Sequence, residues 1–172
     1  MILWLTGLSG SGKTTIANEF KKIIIKDKFK FILLDGDEIR LIFGKDLGYS
    51  INDRIKQIKR IQNLTKFFQK NNLNIIVSAL YSNSDLLRWN RENLKDYYQI
   101  YIKSSLQKLE EKDKNQLYSK YRKKEISQVV GMDIEWEEPI NSDLVIETDK
   151  DNSPSESASI LYTAFLKFKS KL

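Results

Sequence analysis

The feature that most constrains this chain is a glycine-rich run, GLSGSGKT, at residues 7–14. It fits the pattern G-x-x-x-x-G-K-[ST] in full. It also lies between an apolar run at residues 2–6 and a segment whose apolar residues recur at helical spacing. Glycines let backbone N–H groups curl around a phosphate, and the start of the following helix adds partial positive charge. The pattern therefore predicts a site for a nucleoside triphosphate, without indicating which reaction follows.

Two side chains of this run have their own predicted chemistry. Lys13 can reach the β- and γ-phosphates, and the Thr14 hydroxyl can be a ligand of Mg²⁺. The residues that we expect to contact the nucleotide are Gly7, Ser9, Gly10, Ser11, Gly12, Lys13, Thr14 and Thr15.

Short apolar runs alternate with helical patterns along the rest of the chain. Five strands are predicted, at residues 2–6, 31–34, 74–79, 98–102 and 144–147. Such alternation is typical of parallel strands joined by crossover helices. We therefore predict an α/β fold of the P-loop NTPase type, a three-layer sandwich with a mainly parallel five-stranded sheet. No linker or repeat divides the sequence, so we expect one domain over residues 1–172, with ligands at the carboxyl ends of the strands.

Composition excludes several kinds of chemistry. The chain has no cysteine and no histidine. Thiolate metal sites, cysteine nucleophiles and histidine bases are therefore excluded, and proton transfer must use Asp, Glu, Lys or Tyr. The formal net charge of +6 suits a polyphosphate or a nucleic acid, or only a solvated lysine-rich surface. No apolar run approaches the roughly 18 residues of a membrane helix, and no signal peptide is recognisable, so we expect a cytoplasmic protein.

Two carboxylates follow the second predicted strand, in the segment LDGDEIR at residues 34–40. Beside a phosphate loop, Asp35 or Asp37 can hold Mg²⁺ through water or accept a proton from an attacking hydroxyl. Arg40 lies just beyond them and can hold an anionic acceptor. The alternative is a purely structural turn in which Asp37 caps a helix.

These motifs, together with KDLGYS at residues 45–50 and the pair Asp53-Arg54, resemble the adenylylsulfate (APS) kinase family. That family's patterns are GLSGSGKST, LDGDNxR and KDLGFSxxDRxxNIRR. The similarity continues through Leu117-Tyr118 and Gly131-Met132-Asp133, and it covers nearly the whole chain in the same order. APS kinases transfer the γ-phosphoryl group of MgATP to the 3′-hydroxyl of a nucleotide's ribose. The resemblance thus implies ATP and Mg²⁺ as cofactors, a small nucleotide as acceptor, no nucleic-acid partner, and a homodimer.

The resemblance also implies residue roles. Lys13, Asp35 and Asp37 would be catalytic, with Asp35 favoured as the base or orienter and Asp37 as the ribose contact. Mg²⁺ would be held by Thr14 and Asp35, and Lys112 would join the ATP site. The acceptor-binding residues would be Asp37, Arg40, Tyr49, Arg54, Gln57, Leu80 and Val129, and the lid would be Lys112–Met132. Composition predicts a mobile helical lid or loop at about residues 112–138, a segment dense in Lys, Arg and Glu. From its basic cluster we select Arg122 as a further acceptor-binding residue.

Departures from the family pattern concentrate in the acceptor pocket. Glu38 and Gln57 replace asparagines, and Leu80-Tyr81-Ser82 replaces an Ile-Ser-Pro turn. Val129 aligns with a lid aromatic that sandwiches the adenine, and Lys112 aligns with an arginine. Base stacking contributes on the order of 1 kcal/mol or more. Loss of one of the two stacking aromatic rings should therefore weaken the binding of a purine base.

This pattern favours the same transfer on a different acceptor. One branch of the family phosphorylates cytidine diphosphoramidate in capsule synthesis, and a smaller pyrimidine would suit the changed pocket. The alternative is a true APS kinase whose pocket has drifted. More distant alternatives are a P-loop protein that binds nucleic acid and a GTPase-type switch. The first lacks a recognisable aromatic-basic RNA motif, and the second lacks a guanine-reading Asn/Thr-Lys-x-Asp.

Overall fold

The computed structural model describes residues 1–113, 116–149 and 153–170. Its centre is one sheet of five strands in the order β2-β3-β1-β4-β5. The strands are β1 (Ile2–Thr6), β2 (Phe31–Asp35), β3 (Asn74–Ala79), β4 (Tyr97–Lys103) and β5 (Leu144–Glu147). Every neighbouring pair is parallel. This confirms the predicted α/β sheet, which is parallel throughout the described residues and not only mainly so.

Helices cover both faces of the sheet. In chain order they are α1 (Lys13–Ile24), α2 (Gly36–Ile42), α3 (Ile51–Lys70), α4 (Ser84–Asn93), α5 (Leu106–Lys112), α6 (Leu117–Arg122) and α7 (Pro154–Lys169), with a short 3-10 turn at Ile25–Asp27. Helices α1 and α7 pack on one face and α3 and α4 on the other. These three layers are the predicted sandwich.

The alternation of side chains along β1 explains why the sheet is buried on both faces. Leu3 and Leu5 pack under α1 and α7, whereas Ile2 and Trp4 pack under α3 and α4. All four are at most 1% exposed. A parallel sheet between two helical layers needs such a continuous apolar strand, and full burial stabilises the fold by about 1.5–3 kcal/mol for each large apolar side chain.

The helices begin where the sequence supplies caps. Ser50 accepts a hydrogen bond from the Asp53 N–H at the start of α3. Ser153 and Glu156 form a reciprocal capping box at the start of α7, with Pro154 in its first turn.

The structure corrects two details of the sequence analysis. The residue that caps α2 is Asp35, not Asp37, because the Asp35 carboxylate accepts hydrogen bonds from the Asp37 and Glu38 N–H groups. Within the predicted lid at residues 112–138, the described residues beyond the end of α5 form one helix, α6. Part of this segment is packed and not a loose flap: Tyr118, Val129, Val130 and Ile134 are buried in a cluster with Leu8 and Leu109.

Candidate active site

The glycine-rich run forms a tight loop between β1 and α1. Gly10 and Gly12 have left-handed φ angles of 80° and 95°, which glycine adopts without strain. A Cβ atom on Gly7 would collide with the Ile102 carbonyl oxygen on β4. Helix α1 begins directly after the loop with no side-chain cap and no acidic residue in its first turn. Its first N–H groups are therefore available to an anion.

Lys13 lies inside this loop. Its side chain is buried, and its Nζ atom donates to the Gly7 and Leu8 carbonyls at 2.9 and 2.8 Å. Burial lowers the pKa of Lys13 to about 8, while the carboxylates of Asp37 and Asp35 act in the opposite direction. Lys13 forms no salt bridge within the described residues, so its ammonium group can bind a polyphosphate.

Three elements meet beside Lys13 through hydroxyl and carboxylate oxygens. The Thr14 hydroxyl donates to Asp35 Oδ2 at 2.5 Å and lies 2.9 Å from the Ser78 hydroxyl at the end of β3. Asp35 Oδ1 accepts from the Asp37 N–H at 2.9 Å. Sequence analysis missed Ser78, and the one available signal was its place near the carboxyl end of a strand.

These oxygens fit the chemistry of Mg²⁺, which prefers oxygen ligands and usually keeps several waters. The residues that the structure describes contain no cluster of three or more carboxylate, histidine or cysteine side chains. An ion here would therefore rely on Thr14, on Asp35 and on phosphate oxygens of the nucleotide. That is the donor set of a P-loop protein.

Arg40 and Arg54 define the second half of the site. Arg40 Nη1 donates to the Leu47 and Gly48 carbonyls at 2.9 and 2.8 Å. Arg54 Nε donates to the Tyr49 carbonyl at 2.9 Å, and its Nη2 donates to the Gln128 carbonyl at 2.6 Å. Both side chains are buried, and neither forms an ion pair with a carboxylate in the described parts of the chain.

The charge of this pair is therefore little compensated. Burial lowers the pKa of Arg54, and the like charge of Arg40 lowers it further. The two guanidinium carbons lie 4.8 and 5.5 Å from the centroid of the Tyr49 ring. Tyr49 is 54% exposed, so its ring is available for stacking beside two cations. A planar ligand that carries an anionic group matches this arrangement.

Three other residues predicted to bind the acceptor form packing or backbone contacts in the structure. Gln57 is buried, and its Nε2 donates to the Gly36 carbonyl at 2.9 Å, which supports the start of α2. Val129 is buried in the lid cluster, against which the half-buried Leu80 packs. Val129 therefore presents no aromatic face at the position where the resemblance implies one.

Two predicted residues have no described contact with the loop. Arg122 is exposed, and its guanidinium pairs with Glu110 on α5 at 2.7 Å. Lys112 is exposed at the end of α5. Of the two predicted catalytic carboxylates, Asp35 is buried and Asp37 is exposed.

Sequence analysis gave no role to two groups that hold the lid. The Tyr118 hydroxyl donates to the Ser9 carbonyl of the phosphate loop at 2.9 Å. The Asp133 carboxylate accepts from the Gln128 and Val129 N–H groups at 2.7 and 2.6 Å, which fixes the turn whose carbonyl meets Arg54. Leu117-Tyr118 and Asp133 both lie in motifs of the resemblance, and that was the only signal for them.

The turn after β3, where the sequence departs from the family pattern, is held by Glu137. Glu137 Oε2 accepts from the Ser84 N–H at 2.8 Å and from the Ser84 hydroxyl at 2.6 Å. Tyr81 is half-buried in this turn, and burial, followed by the nearby Glu137 carboxylate, raises the pKa of its phenol. This turn is thus packed, with Leu80 and Tyr81 against the lid cluster.

Comparison with known proteins assigns the family. A family model described as adenylylsulphate kinase matches residues 1–147. The chain is 38% identical to cytidine diphosphoramidate kinase of Campylobacter jejuni, over 93% of each chain. It is 36% identical to adenylyl-sulfate kinase of Lactiplantibacillus plantarum, over 87% of this chain and 73% of that protein.

A solved structure agrees with these sequences. The APS kinase CysC of Mycobacterium tuberculosis, in complex with AMPPNP and APS, matches with a TM-score of 0.88 and 27% identity, over 95% of this chain and 96% of that one. The chain belongs to the adenylylsulphate kinase family, which confirms the resemblance, and it is a nucleotide kinase. Within the described residues, no helix combines the length and the apolar character needed to cross a membrane.

Proposed function

We propose that this kinase transfers the γ-phosphoryl group of MgATP to the 3′-hydroxyl of a cytidine nucleotide, cytidine diphosphoramidate. The observation that carries the proposal is the changed acceptor side, where Tyr49 offers one exposed ring and Val129 is a buried aliphatic residue. Without a second aromatic ring the site lacks stacking energy of about 1 kcal/mol or more that a purine would gain, and a smaller pyrimidine has less stacking surface to lose. The similarity to the Campylobacter jejuni kinase supports the same acceptor.

The nucleotide would bind with its phosphates in the glycine-rich loop. Lys13 would exchange its two carbonyl partners for phosphate oxygens, and the open start of α1 would face the same charge. Thr14 and Asp35 would hold Mg²⁺, which would neutralise charge on the β- and γ-phosphates. Thr15, which is exposed, and Lys112 would lie at the edge of this site.

In the transfer itself, the 3′-oxygen of the acceptor would form a bond to the γ-phosphorus. The bond from that phosphorus to the bridging β–γ oxygen would break, and ADP would leave. The proton of the hydroxyl would pass to a carboxylate. The Asp35 carboxylate accepts hydrogen bonds from Thr14, Asp37 and Glu38. The Asp37 carboxylate is exposed, and its charge raises the pKa of the nearby Lys13 ammonium group.

Sequence analysis favours Asp35 as the base, and the hydrogen bonds that occupy Asp35 support a different proposal. We assign proton acceptance to Asp37 and the positioning of Thr14 to Asp35. Arg40 and Arg54 would bind the anionic diphosphoramidate, and Arg122 would reach the acceptor only by leaving Glu110.

A second candidate is phosphorylation of adenylylsulfate. It is favoured by the adenylyl-sulfate kinases among the similar proteins and by the solved structure with AMPPNP and APS. The Arg40–Arg54 pair would hold a sulfate as readily as a phosphoramidate, because both are anions. The base is therefore the part of the acceptor that distinguishes the two candidates.

The test is an assay of each acceptor alone with MgATP, read by mass spectrometry of the product. We expect cytidine diphosphoramidate to gain one phosphoryl group and its 3′-deoxy analogue to gain none. Asp37→Asn should abolish transfer, and Glu92→Gln, which changes an exposed carboxylate on α4, should not. Transfer to the 3′-deoxy analogue would contradict the assigned hydroxyl, and full activity of Asp37→Asn would contradict the assigned base.

The chain would act in the cytoplasm, where ATP is available, and as a homodimer. Exposed apolar side chains on and after α2 support the dimer: Leu41 and Ile42 are 59% and 75% exposed, and Phe43 follows at 42%. No nucleic-acid partner is proposed. Light scattering should give twice the mass of the chain, and Ile42→Asp should give the monomer if this face is the interface.

A further inference from the structure

One peptide group of the phosphate loop is held from outside the loop. The Gly7 and Leu8 carbonyls accept hydrogen bonds from Lys13, which belongs to the loop itself. The Ser9 carbonyl instead accepts from the hydroxyl of Tyr118 on α6, at 2.9 Å and 109 residues further along the chain. The tip of the phosphate loop is thus connected to the lid by a side-chain hydrogen bond.

This bond determines where the next N–H group points. A trans peptide is planar, so its C=O and N–H point in opposite directions. Holding the Ser9 carbonyl towards α6 therefore turns the Gly10 N–H away from α6. Gly10 has a φ of 80° and no side chain, so its own residue restrains this orientation little. Successive N–H groups of such a loop are the groups that bind phosphate.

Tyr118 is itself firmly placed. It is 2% exposed and packs with Leu8 and Leu109 on the outer side of the loop. The backbone N–H groups of Tyr118 and Ser119 donate to the Asp113 carboxylate at 3.1 and 2.8 Å, which anchors the first turn of α6. Burial raises the pKa of Tyr118 to about 12, so the hydroxyl remains a donor across the physiological pH range.

We propose that Tyr118 is a positioning residue for nucleotide binding, whose hydroxyl orients the Ser9–Gly10 peptide so that the Gly10 N–H can bind a phosphate of ATP. The proposal rests on the proposed function, because it requires that the loop binds ATP. In this proposal the lid segment has a role before it closes, because α6 orients a peptide group of the phosphate loop. Tyr118 does not touch the reacting atoms in this role.

Tyr118→Phe tests the proposal, because it removes the hydroxyl and keeps the buried ring. We expect the Kd for Mg-AMP-PNP, measured by calorimetry, to rise about fivefold, which corresponds to about 1 kcal/mol. The KM for ATP should rise by a similar factor, and the KM for the acceptor should change less than about twofold. The matched control is Tyr121→Phe on the same helix. Tyr121 packs against the same cluster, and no described hydrogen bond involves its hydroxyl.

Each outcome bears on a different claim. A Tyr118→Phe protein that melts earlier but binds Mg-AMP-PNP as tightly as wild type would show a structural role and overturn the proposal. If that variant does not fold, Asp113→Ala loosens α6 from a more exposed position, and it should raise the same Kd by a smaller factor. No rise there would overturn the proposal as well. A wild-type chain that does not bind Mg-AMP-PNP would contradict the proposed function itself.

Discussion

The phosphate loop and the acceptor pocket are built in different ways. The loop is one contiguous run, residues 7–14, whose shape follows from glycines and whose lysine bonds to its own carbonyls. The acceptor pocket joins Arg40, Tyr49 and Arg54 to the Gln128 carbonyl, which is 74 residues from Arg54. Local sequence therefore specifies the loop, whereas long-range packing specifies the pocket. Under the proposed function, this difference would let one half of the site keep its chemistry while the other half binds a different acceptor.

The largest effect is expected on the loop side, from Lys13→Ala. Removing the ammonium group takes away the positive charge at the β- and γ-phosphates, so transfer should fall by at least about 10²–10³-fold. The circular dichroism spectrum should not change, because the side chain's two hydrogen bonds are to loop carbonyls. Lys22→Ala is the control, since Lys22 lies exposed on the same helix. Transfer within tenfold of wild type would contradict the assignment of the loop.

The second-largest effect should distinguish acceptor binding from ATP binding. Arg54→Lys keeps a positive charge but loses the planar fork that spans the Tyr49 and Gln128 carbonyls. Hydrogen bonds to charged groups contribute about 1.5–3 kcal/mol, so kcat/KM for the acceptor should fall by about 10- to 100-fold. The KM for ATP should stay within about twofold of wild type.

Arg91→Lys is the matched control for that substitution. Arg91 lies on α4, where its guanidinium pairs with Asp143 and donates to the Asn141 carbonyl. The control should leave the KM for ATP and the kcat/KM for the acceptor unchanged. An equal loss for ATP and acceptor in Arg54→Lys would mean that the two halves do not act separately.

The smallest effect concerns pH. Lys13 has a pKa of about 8 in the free protein, because burial disfavours its charged form. Bound phosphates favour that form, so ATP affinity should fall as the free protein loses this proton above pH 8. The expected loss between pH 7 and pH 8.5 is about fourfold. In Lys13→Arg the guanidinium keeps its proton, and the same loss in that variant would assign the titration to another group.

The same Lys13 ionisation has a consequence for stability, and its sign is opposite to that of a salt-bridged lysine. The unfolded chain holds this proton up to the ordinary lysine pKa of 10.5, whereas the folded chain releases it near pH 8. Between these values the unfolded state binds more protons, so this group makes the free energy of unfolding rise with pH. The melting temperature of the free Lys13→Ala protein should lack this contribution.

The sequence predicted the fold because its signals are local. The continuous apolar run of β1 and the glycine-rich run that follows it are visible in short windows. It also predicted that Arg40, Tyr49 and Arg54 belong to one site, but only through the family resemblance. Asp35 was assigned to chemistry at the phosphates, and its second role as the cap of α2 depends on where the chain turns after β2.

Residues whose roles depend on distant partners could not be predicted from local patterns. Ser78 looks like any small residue in a buried strand until β3 places it 2.9 Å from the Thr14 hydroxyl. Tyr118 contacts the phosphate loop, and the Gln128 carbonyl contacts Arg54. Both contacts depend on the packing of the lid cluster with Leu8. Arg122 was selected for its charge in a basic segment, and in the structure it pairs with Glu110.

The most direct test of the account is a competition for limiting MgATP between equal concentrations of cytidine diphosphoramidate and adenylylsulfate in one reaction, with both products quantified by mass spectrometry. We expect the cytidine product to predominate by about fivefold or more, since a missing stacking ring costs an adenine about 1 kcal/mol or more. Predominance of 3′-phosphoadenylylsulfate would contradict the changed acceptor and make the departures at Val129 and Tyr81 neutral drift within an APS kinase.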